Sequence, residues 1–544
     1  MFERHFAHWP PGQPKTLELP RETVYANLVA SAARHPERAA IDYYGRRISY
    51  RELKREVDAL AGFLQQRCGV ARGERVLLYL QNSPQFVIGY YAILRADAVV
   101  VPVNPMNRSE ELSHYVADSD ARIAFAGQDV LEHIAPLGLE RLIVARYADY
   151  LPATTDLPLP DFLRSPTPSN SWREAMEANL APGRHAAGPD DLAVMPYTSG
   201  TTGRPKGCMH THSSLQATTV PYLNWRGAQE GAVVLCALPM FHVTGMQAGM
   251  NSPIHLAATL VILSRWDRDC AALQIERASV TNWSAITTMM VDFLSNPRLS
   301  EYDLSSLRVL GGGGAAMPEA LARRLEAVIG LPFVEGYGLS ETMAPTHINP
   351  PQRPKRQCAG IPFFNTDARV IDPESKLELG PGDVGEIIVS GPQVFRGYWK
   401  QPEATETAFI QHDGKRFFRT GDLGYYDEEG YFFITDRLKR MINCAGYKVW
   451  PAEVEAMLYA HPAIQEACVI GARDAYRGET VKALVVPKKE YRGKIDAQSI
   501  IEWARGRMAA FKVPRIIEFV DELPRTATGK IFWRKLQEEE NRKA

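Results

Sequence analysis

The stretch RVLLYLQNSPQFVIGYYAILRADAVVVPV, residues 75–103, decides the fold class. Its ends, RVLLYL (75–80) and AVVVPV (98–103), are short apolar runs rich in branched residues, as in buried strands. Between them PQFVIGYYAILRA reads as a helix. Strand, helix and strand in succession build a parallel sheet covered by helices. Downstream, Asn107 with Glu110 three residues on has the form of a capping box, and Leu112, Tyr115 and Val116 follow at helical spacing. RIAFA (122–126) and RLIVA (141–145) read as further strands, while APGRHAAGPDD (181–191) and INPPQRPKRQC (348–358) read as exposed loops. Past about residue 436 the elements become short and mixed: a helix from Pro451, strands ACVIGA and VKALVVP, a helix AQSIIEWARGRM and a strand RIIEFV. A chain of 544 residues is too long for one hydrophobic core. The expectation is therefore an α/β protein. Residues 1–436 form a large multi-subdomain part with parallel-rich sheets, and residues 437–544 form a small α+β domain.

Bulk properties exclude several classes. A net charge near −1 provides no field for steering onto nucleic acid or acidic lipid. The N-terminal MFERHFAHWPPGQPK has no apolar core of a signal peptide, and IHLAATLVIL is too short to span a membrane. Seven cysteines are scattered singly without a C-x-x-C pair, which points to reduced thiols and a cytoplasmic setting.

The densest chemical signal is YTSGTTGRPKG, residues 197–207. It is no Walker loop, because Pro205 stands where the second glycine belongs counting from Gly200. It still suits an anion: glycines turn backbone N–H groups toward one centre, hydroxyls add donors and Lys206 adds charge. The preceding DLAVMPY reads as a strand, and loops leaving strand ends bind ligands in α/β proteins. A second cluster, LRVLGGGGAAMP (307–318), matches the dinucleotide fingerprint at Gly311, Gly313 and Ala316, with Glu335 at a suitable distance. It leaves open an NAD-dependent oxidoreductase. In FVEGYGLSETMAP (333–345), the glycine-flanked Tyr337 suits a base and Glu341 suits Mg²⁺. His242 in LPMFHVTG reads by itself as a packed histidine, and the H-x-H of His210 and His212 has no evident third ligand.

Taken in order, these segments resemble the adenylate-forming superfamily of acyl-CoA synthetases, luciferases and adenylation domains, over nearly the whole chain. ISYREL (48–53), YTSGTTGRPKG, EGYGLSET, GEIIVSGPQVFRGYWKQPEAT (385–405), RTGDLGYYDEEGYFFITDRLKRMI (419–442), GYKVWPAEVE (446–455) and PRTATGK (524–530) match its motifs in register. The resemblance implies a large N-terminal part with a small mobile C-terminal domain. It also implies two half-reactions: ATP and a carboxylic acid give an acyl-adenylate and pyrophosphate, then CoA displaces AMP. Thr198, Ser199, Gly200, Thr201, Thr202, Gly203 and Lys206 would hold the β- and γ-phosphates, with Thr198 and Glu341 near Mg²⁺. Gly313 and Gly336–Tyr337–Gly338, followed by Thr342, would meet the adenine. Asp422 and Arg437 would bind the ribose hydroxyls, and His242 would stand at the mouth of the acyl pocket. Lys530 would meet the α-phosphate, Lys439 would be the hinge, and Gly446 would approach the CoA thiol.

Fatty-acid–CoA ligases are the most similar members. GYGLSET lacks the tryptophan that closes an acetyl-sized pocket, and Thr244, Gly245, Ala248 and Gly249 after His242 suggest an apolar tunnel. These features favour a medium- to long-chain fatty acid, with an aromatic acid such as a benzoate or coumarate as the alternative. Arg95 and Asp97 replace a lysine and a glycine common in the family, and Cys444 and Ala445 replace a serine and a glycine.

Overall fold

A computed structural model describes residues 2–543 apart from 168, 199–203, 315, 445–446, 475–477 and 527–530. Contacts divide the chain into two compact units: Met1–Ala368 with Val389–Phe418, and Arg369–Ile388 with Arg419–Ala544. The expected boundary at 436/437 falls inside the second unit.

The 75–103 stretch folds as read. Arg75–Tyr79 and Val99–Pro102 are adjacent parallel strands joined by the helix Pro84–Arg95. Ser83 caps that helix by accepting from the Phe86 amide (3.1 Å), and Pro84 occupies its first turn, where no amide is needed. These strands sit in a six-stranded sheet ordered His210–Thr211, Leu192–Val194, Val99–Pro102, Arg75–Tyr79, Ile123–Gly127, Arg141–Ala145, parallel except at the first pairing. Leu77, Tyr79, Val99, Val101, Ala124 and Ala126 pack on one face, while Val76, Leu78, Val100 and Phe125 are also fully buried. Burial on both faces is why these strands read as unbroken apolar runs.

The next helix, Ser109–Ser119, begins one residue later than expected. The Arg108 amide donates to Glu111 (3.0 Å), not Asn107 to Glu110, because the Asn107 amide already donates to the Asn104 carbonyl (2.9 Å). ISYREL is itself a helix start: Ser49 and Glu52 form a reciprocal capping box on Tyr50–Gln66.

A nine-stranded sheet forms the rest of the first unit's framework, in the order Ile361–Pro362, Ala344–Ile348, Phe333–Leu339, Val309–Gly313, Asn282–Ala285, Val233–Cys236, Thr259–Ile262, Ala39–Tyr43, Arg46–Ser49. The six strands from Phe333–Leu339 to Ala39–Tyr43 run parallel, and antiparallel strands close both edges. In the second unit, Ile464–Asp474 and Gly478–Pro487 form a long antiparallel pair, joined by Ile442–Cys444, Tyr447–Val449 and the parallel strand Ile516–Phe519. Alternate residues face two small cores: Ala467 and Val469 meet Val454, Leu458 and Ile500, while Cys468 and Ile470 meet Leu523 and Leu536. This is the mixed α+β C-terminal domain expected from the composition. Among the described residues no helix is long and apolar enough to cross a membrane. All seven cysteines are buried and none is in a disulfide.

Arg95 and Asp97 share one task. Asp97 has φ +62° and accepts from the amides of Ala186 (3.0 Å) and Ala187 (3.0 Å) and pairs with His185 (2.6 Å), while Arg95 donates to the Gly183 carbonyl (2.8 Å). Together they pin the glycine-rich loop that leads into the strand Leu192–Val194.

Candidate active site

The signature segment enters and leaves through a short antiparallel hairpin, Tyr197–Thr198 with Lys206–Gly207, which opposes Thr198 to Lys206. Ser199, Gly200, Thr201, Thr202 and Gly203 lie outside the described residues. The hairpin is tied down on both sides. The Tyr197 hydroxyl donates to Asp118 (2.6 Å), and His114 bonds the Pro205 carbonyl (2.8 Å). The Cys208 amide donates to Pro196 (2.8 Å), the Trp399 amide to Gly207 (2.8 Å) and the Met209 amide to Gly397 (3.0 Å). The ends of the glycine-rich loop are thus fixed by a helix and by the RGYWKQPEAT segment.

The Tyr197–Thr198 strand also packs against the turn Ser340–Thr342. There Glu341 is buried, and its Oε1 accepts from the Tyr398 hydroxyl (2.9 Å) while its carbonyl accepts from the Phe395 amide (2.8 Å). The Lys206 ammonium lies over the Tyr398 ring, 5.0 Å from its centroid. The expected phosphate lysine and the expected metal carboxylate therefore share one aromatic neighbour. Tyr398 went unassigned in the sequence; its only signal was membership of the RGYWKQPEAT segment. His210 supports the same turn through the Ser340 carbonyl (2.8 Å), and burial lowers its pKa to about 4. The neutral ring therefore donates from Nε2. His212 is likewise buried, with its pKa lowered to about 4, and its Nδ1 accepts from the Val24 amide (3.2 Å). The H-x-H pair is thus structural.

Gly311, Gly312 and Gly313 lie inside the strand Val309–Gly313, with Gly313 opposite Gly336. A Cβ on Gly313 would stand 2.3 Å from the Gly336 carbonyl oxygen. These glycines serve close strand packing, whereas a dinucleotide fingerprint needs them in the turn after the strand. The acid required by that reading is also committed elsewhere. The buried Glu335 accepts from the amides of Met317 (3.0 Å) and Gln357 (2.8 Å), and burial raises its pKa to about 7. The oxidoreductase alternative is overturned on both counts. Tyr337 is half-buried on the strand Phe333–Leu339, its ring 5.8 Å from that of His347. Gly338 abuts the Ala344 carbonyl, where a Cβ would come within 2.0 Å. Thr342 points inward: its hydroxyl accepts from Leu339 N (3.0 Å) and donates to the Ala344 carbonyl (2.9 Å), bracing the turn that presents Glu341.

His242 caps the helix Val243–Met246, its Nδ1 accepting from the Thr244 amide (3.4 Å). A π-helical turn, Gln247–Asn251, follows. Buried polar groups hold it: Gln247 accepts from the Thr219 hydroxyl (2.9 Å), and Asn251 bridges the hydroxyls of Tyr90 and Tyr91 (both 2.9 Å). Gly245 permits close packing on the Pro239 carbonyl, where a Cβ would approach to 2.1 Å; a Cβ on Gly249 would meet Cys236 at 3.7 Å.

In the second unit, Asp422 and Arg437 are directly opposed on antiparallel strands, Nε to Oδ1 2.7 Å. Asp422 is buried beneath the half-exposed side chain of Arg437. Lys439 lies in the single turn Leu438–Arg440. Before it, the buried Asp436 accepts from the amides of Arg437 (2.6 Å) and Ala452 (2.7 Å), and burial raises its pKa. After it, Arg440 pairs with Glu455. Gly446 and Lys530 lie outside the described residues.

Two family models match the chain: AMP-binding enzyme over residues 28–399 and AMP-binding enzyme C-terminal domain over residues 453–530. A long-chain-fatty-acid–CoA ligase of Bacillus subtilis (strain 168) is 39% identical, covering 98% of this chain and 97% of the relative. A feruloyl-CoA synthase of Amycolatopsis sp. is 36% identical, covering 93% and 96%. Among solved structures, ATP-bound MatB from Rhodopseudomonas palustris superposes with a TM-score of 0.85 at 30% identity, covering 96% of this chain and 99% of that one. With both family models in register and whole-length relatives of this similarity, the chain belongs to the AMP-binding enzyme family of adenylate-forming proteins.

Proposed function

We propose that this protein is an AMP-forming acid–thiol ligase that activates a medium- to long-chain fatty acid with ATP and transfers the acyl group to CoA. The observation that carries this reading is the end-to-end likeness to a long-chain-fatty-acid–CoA ligase. The Lys206–Tyr398–Glu341 arrangement beside the signature hairpin supports it. A carboxylate oxygen of the acid attacks the α-phosphorus, the bond to pyrophosphate breaks, and an acyl-adenylate results. The CoA sulfur then attacks the acyl carbon, and AMP leaves.

Thr198 to Lys206 hold the β- and γ-phosphates, and Lys530 meets the negative charge that builds at phosphorus. Gly313, Gly336, Tyr337 and Gly338 form the adenine wall, and Thr342 supports it from within. Asp422 accepts from the ribose diol and Arg437 adds a forked donor. His242 stands at the entrance to the acyl site. Lys439 is the hinge of a mobile domain from residue 437 onward, and Gly446 gives the pantetheine a backbone without side chain to pass. The donor set fits Mg²⁺: the Glu341 carboxylate and Thr198 hydroxyl are hard oxygen ligands on elements that pack together. When bound, Mg²⁺ neutralises phosphate charge. A cytoplasmic setting accords with seven buried thiols outside any disulfide.

The likeness to feruloyl-CoA synthase supports an aromatic acid as the second reading. A screen of acid- and CoA-dependent AMP release across saturated acids of graded length, benzoate and cinnamates distinguishes the two. Release should peak on the longer saturated acids. A peak on the aromatic acids would select the second reading, and no acid-dependent pyrophosphate exchange with any of them would refute both.

A further inference from the structure

Tyr398 is fixed more firmly than its neighbours require. Its amide donates to the Thr405 hydroxyl (2.9 Å), which itself donates to the Gln401 carbonyl (2.8 Å). The residues on either side are zipped to the end of the signature hairpin: Met209 N to Gly397 O (3.0 Å) and Trp399 N to Gly207 O (2.8 Å), with Tyr398 itself opposite Cys208. Gly397 adopts φ +151°, and a Cβ there would meet Thr405 at 2.4 Å. The ring packs edge-on against Phe395, centroids 4.8 Å apart, and Phe395 supplies the amide that holds the Glu341 carbonyl. Main chain and side chain of Glu341 are thus both positioned by residues 395–398, and Lys206 lies over the same ring.

We propose that Tyr398 is a positioning residue for adenylation: its hydroxyl sets the Glu341 carboxylate for the metal ion, and its ring face sets the Lys206 ammonium for the nucleotide phosphates. This rests on the adenylate-forming reading given above. The two contacts use different parts of one side chain, so they separate by mutation. Tyr398→Phe keeps the ring and loses the hydroxyl. Groups that orient a metal ligand are worth about 10- to 100-fold in metal affinity. Mn²⁺ binding in the presence of ATP, followed by the loss of the free-ion electron paramagnetic resonance signal, should therefore weaken about tenfold in Tyr398→Phe. Its KM for ATP at saturating Mg²⁺ and its KM for the acid should stay within about twofold of wild type, because ring and fold are intact. Tyr398→Leu removes the cation–π face as well, and should add a several-fold rise in the KM for ATP, on the order of what such a contact contributes.

Wild-type Mn²⁺ affinity in Tyr398→Phe would overturn the inference. So would a parallel loss of Mn²⁺ affinity, both KM values and thermal stability in both variants, which would mark Tyr398 as a packing residue. The Mn²⁺ measurement involves no turnover. Absence of acid-dependent pyrophosphate exchange in the wild type would therefore refute the proposed function, while the metal comparison would still decide the role of Tyr398.

Discussion

Replacing Gly313 by alanine tests whether the glycine strand is built for close backbone approach. The added Cβ would stand 2.3 Å from the Gly336 carbonyl oxygen and 3.3 Å from its carbon. A carbon–oxygen contact between strands relaxes at about 3.3 Å, so the strands Val309–Gly313 and Phe333–Leu339 must part by about 1 Å. Ladder bonds of about 2.9 Å would stretch beyond useful range at that point. Overpacking of this kind costs about 1–3 kcal/mol of stability. The displaced strand carries Tyr337, and a misplacement of about 1 Å in a reactive site costs about 10²-fold. The assay is acid-dependent ATP–pyrophosphate exchange with ATP varied, beside a thermal melt of the same preparation. Gly313→Ala should lose about 10²-fold in kcat/KM for ATP and melt at a lower temperature. Gly249→Ala is the control: its Cβ would meet Cys236 at 3.7 Å, an ordinary contact, so its melting temperature should not fall. A Gly313→Ala enzyme with wild-type melting and wild-type kcat/KM would refute the steric reasoning.

Glu335 has a folded pKa of about 7 against an ordinary 4.5, so between these values the folded state holds the extra proton and stability falls as pH rises. The wild type should lose on the order of 3 kcal/mol from this group across that window. Glu335→Gln should flatten that slope in denaturant titrations run from pH 4.5 to 8, and an unchanged slope would contradict the assignment. Asp422→Asn should reduce discrimination between ATP and 2′-deoxy-ATP by roughly 10- to 100-fold, the range of a charge-assisted hydrogen bond. Steady-state kinetics with both nucleotides measure this, and retained discrimination would move the ribose contact elsewhere. Lys530→Ala should slow adenylation about 10²- to 10³-fold while sparing thioester formation from pre-formed acyl-adenylate. Equal losses in single-turnover assays of the two steps would remove Lys530 from that role.

Local periodicity and motif order determined much of this protein. The apolar runs at 75–80 and 98–103 are readable because parallel strands buried on both faces have no polar side to interrupt them. The change of texture past residue 436 lies within the second unit, where alternate residues of the long strand pair feed two cores. Lys206, Glu341, Asp422 and Arg437 stand out in the sequence because each lies in a short motif that carries the family resemblance, and the roles given to them belong to the proposed function. Pairings across the chain are not legible in that way. Asp422 faces Arg437 through strand register, and Glu335 faces two backbone amides through tertiary packing. The glycines at 311–313 match one fingerprint in sequence and serve another purpose in space, since strand and turn are told apart only by their hydrogen-bond partners. Tyr398 is the clearest case. Its hydroxyl meets a carboxylate 57 residues away in the chain, and its ring meets a lysine on the signature hairpin. A tyrosine in a loop carries no mark of its partners, because only the folded backbone of residues 207–209, 341 and 395–399 brings the three groups together.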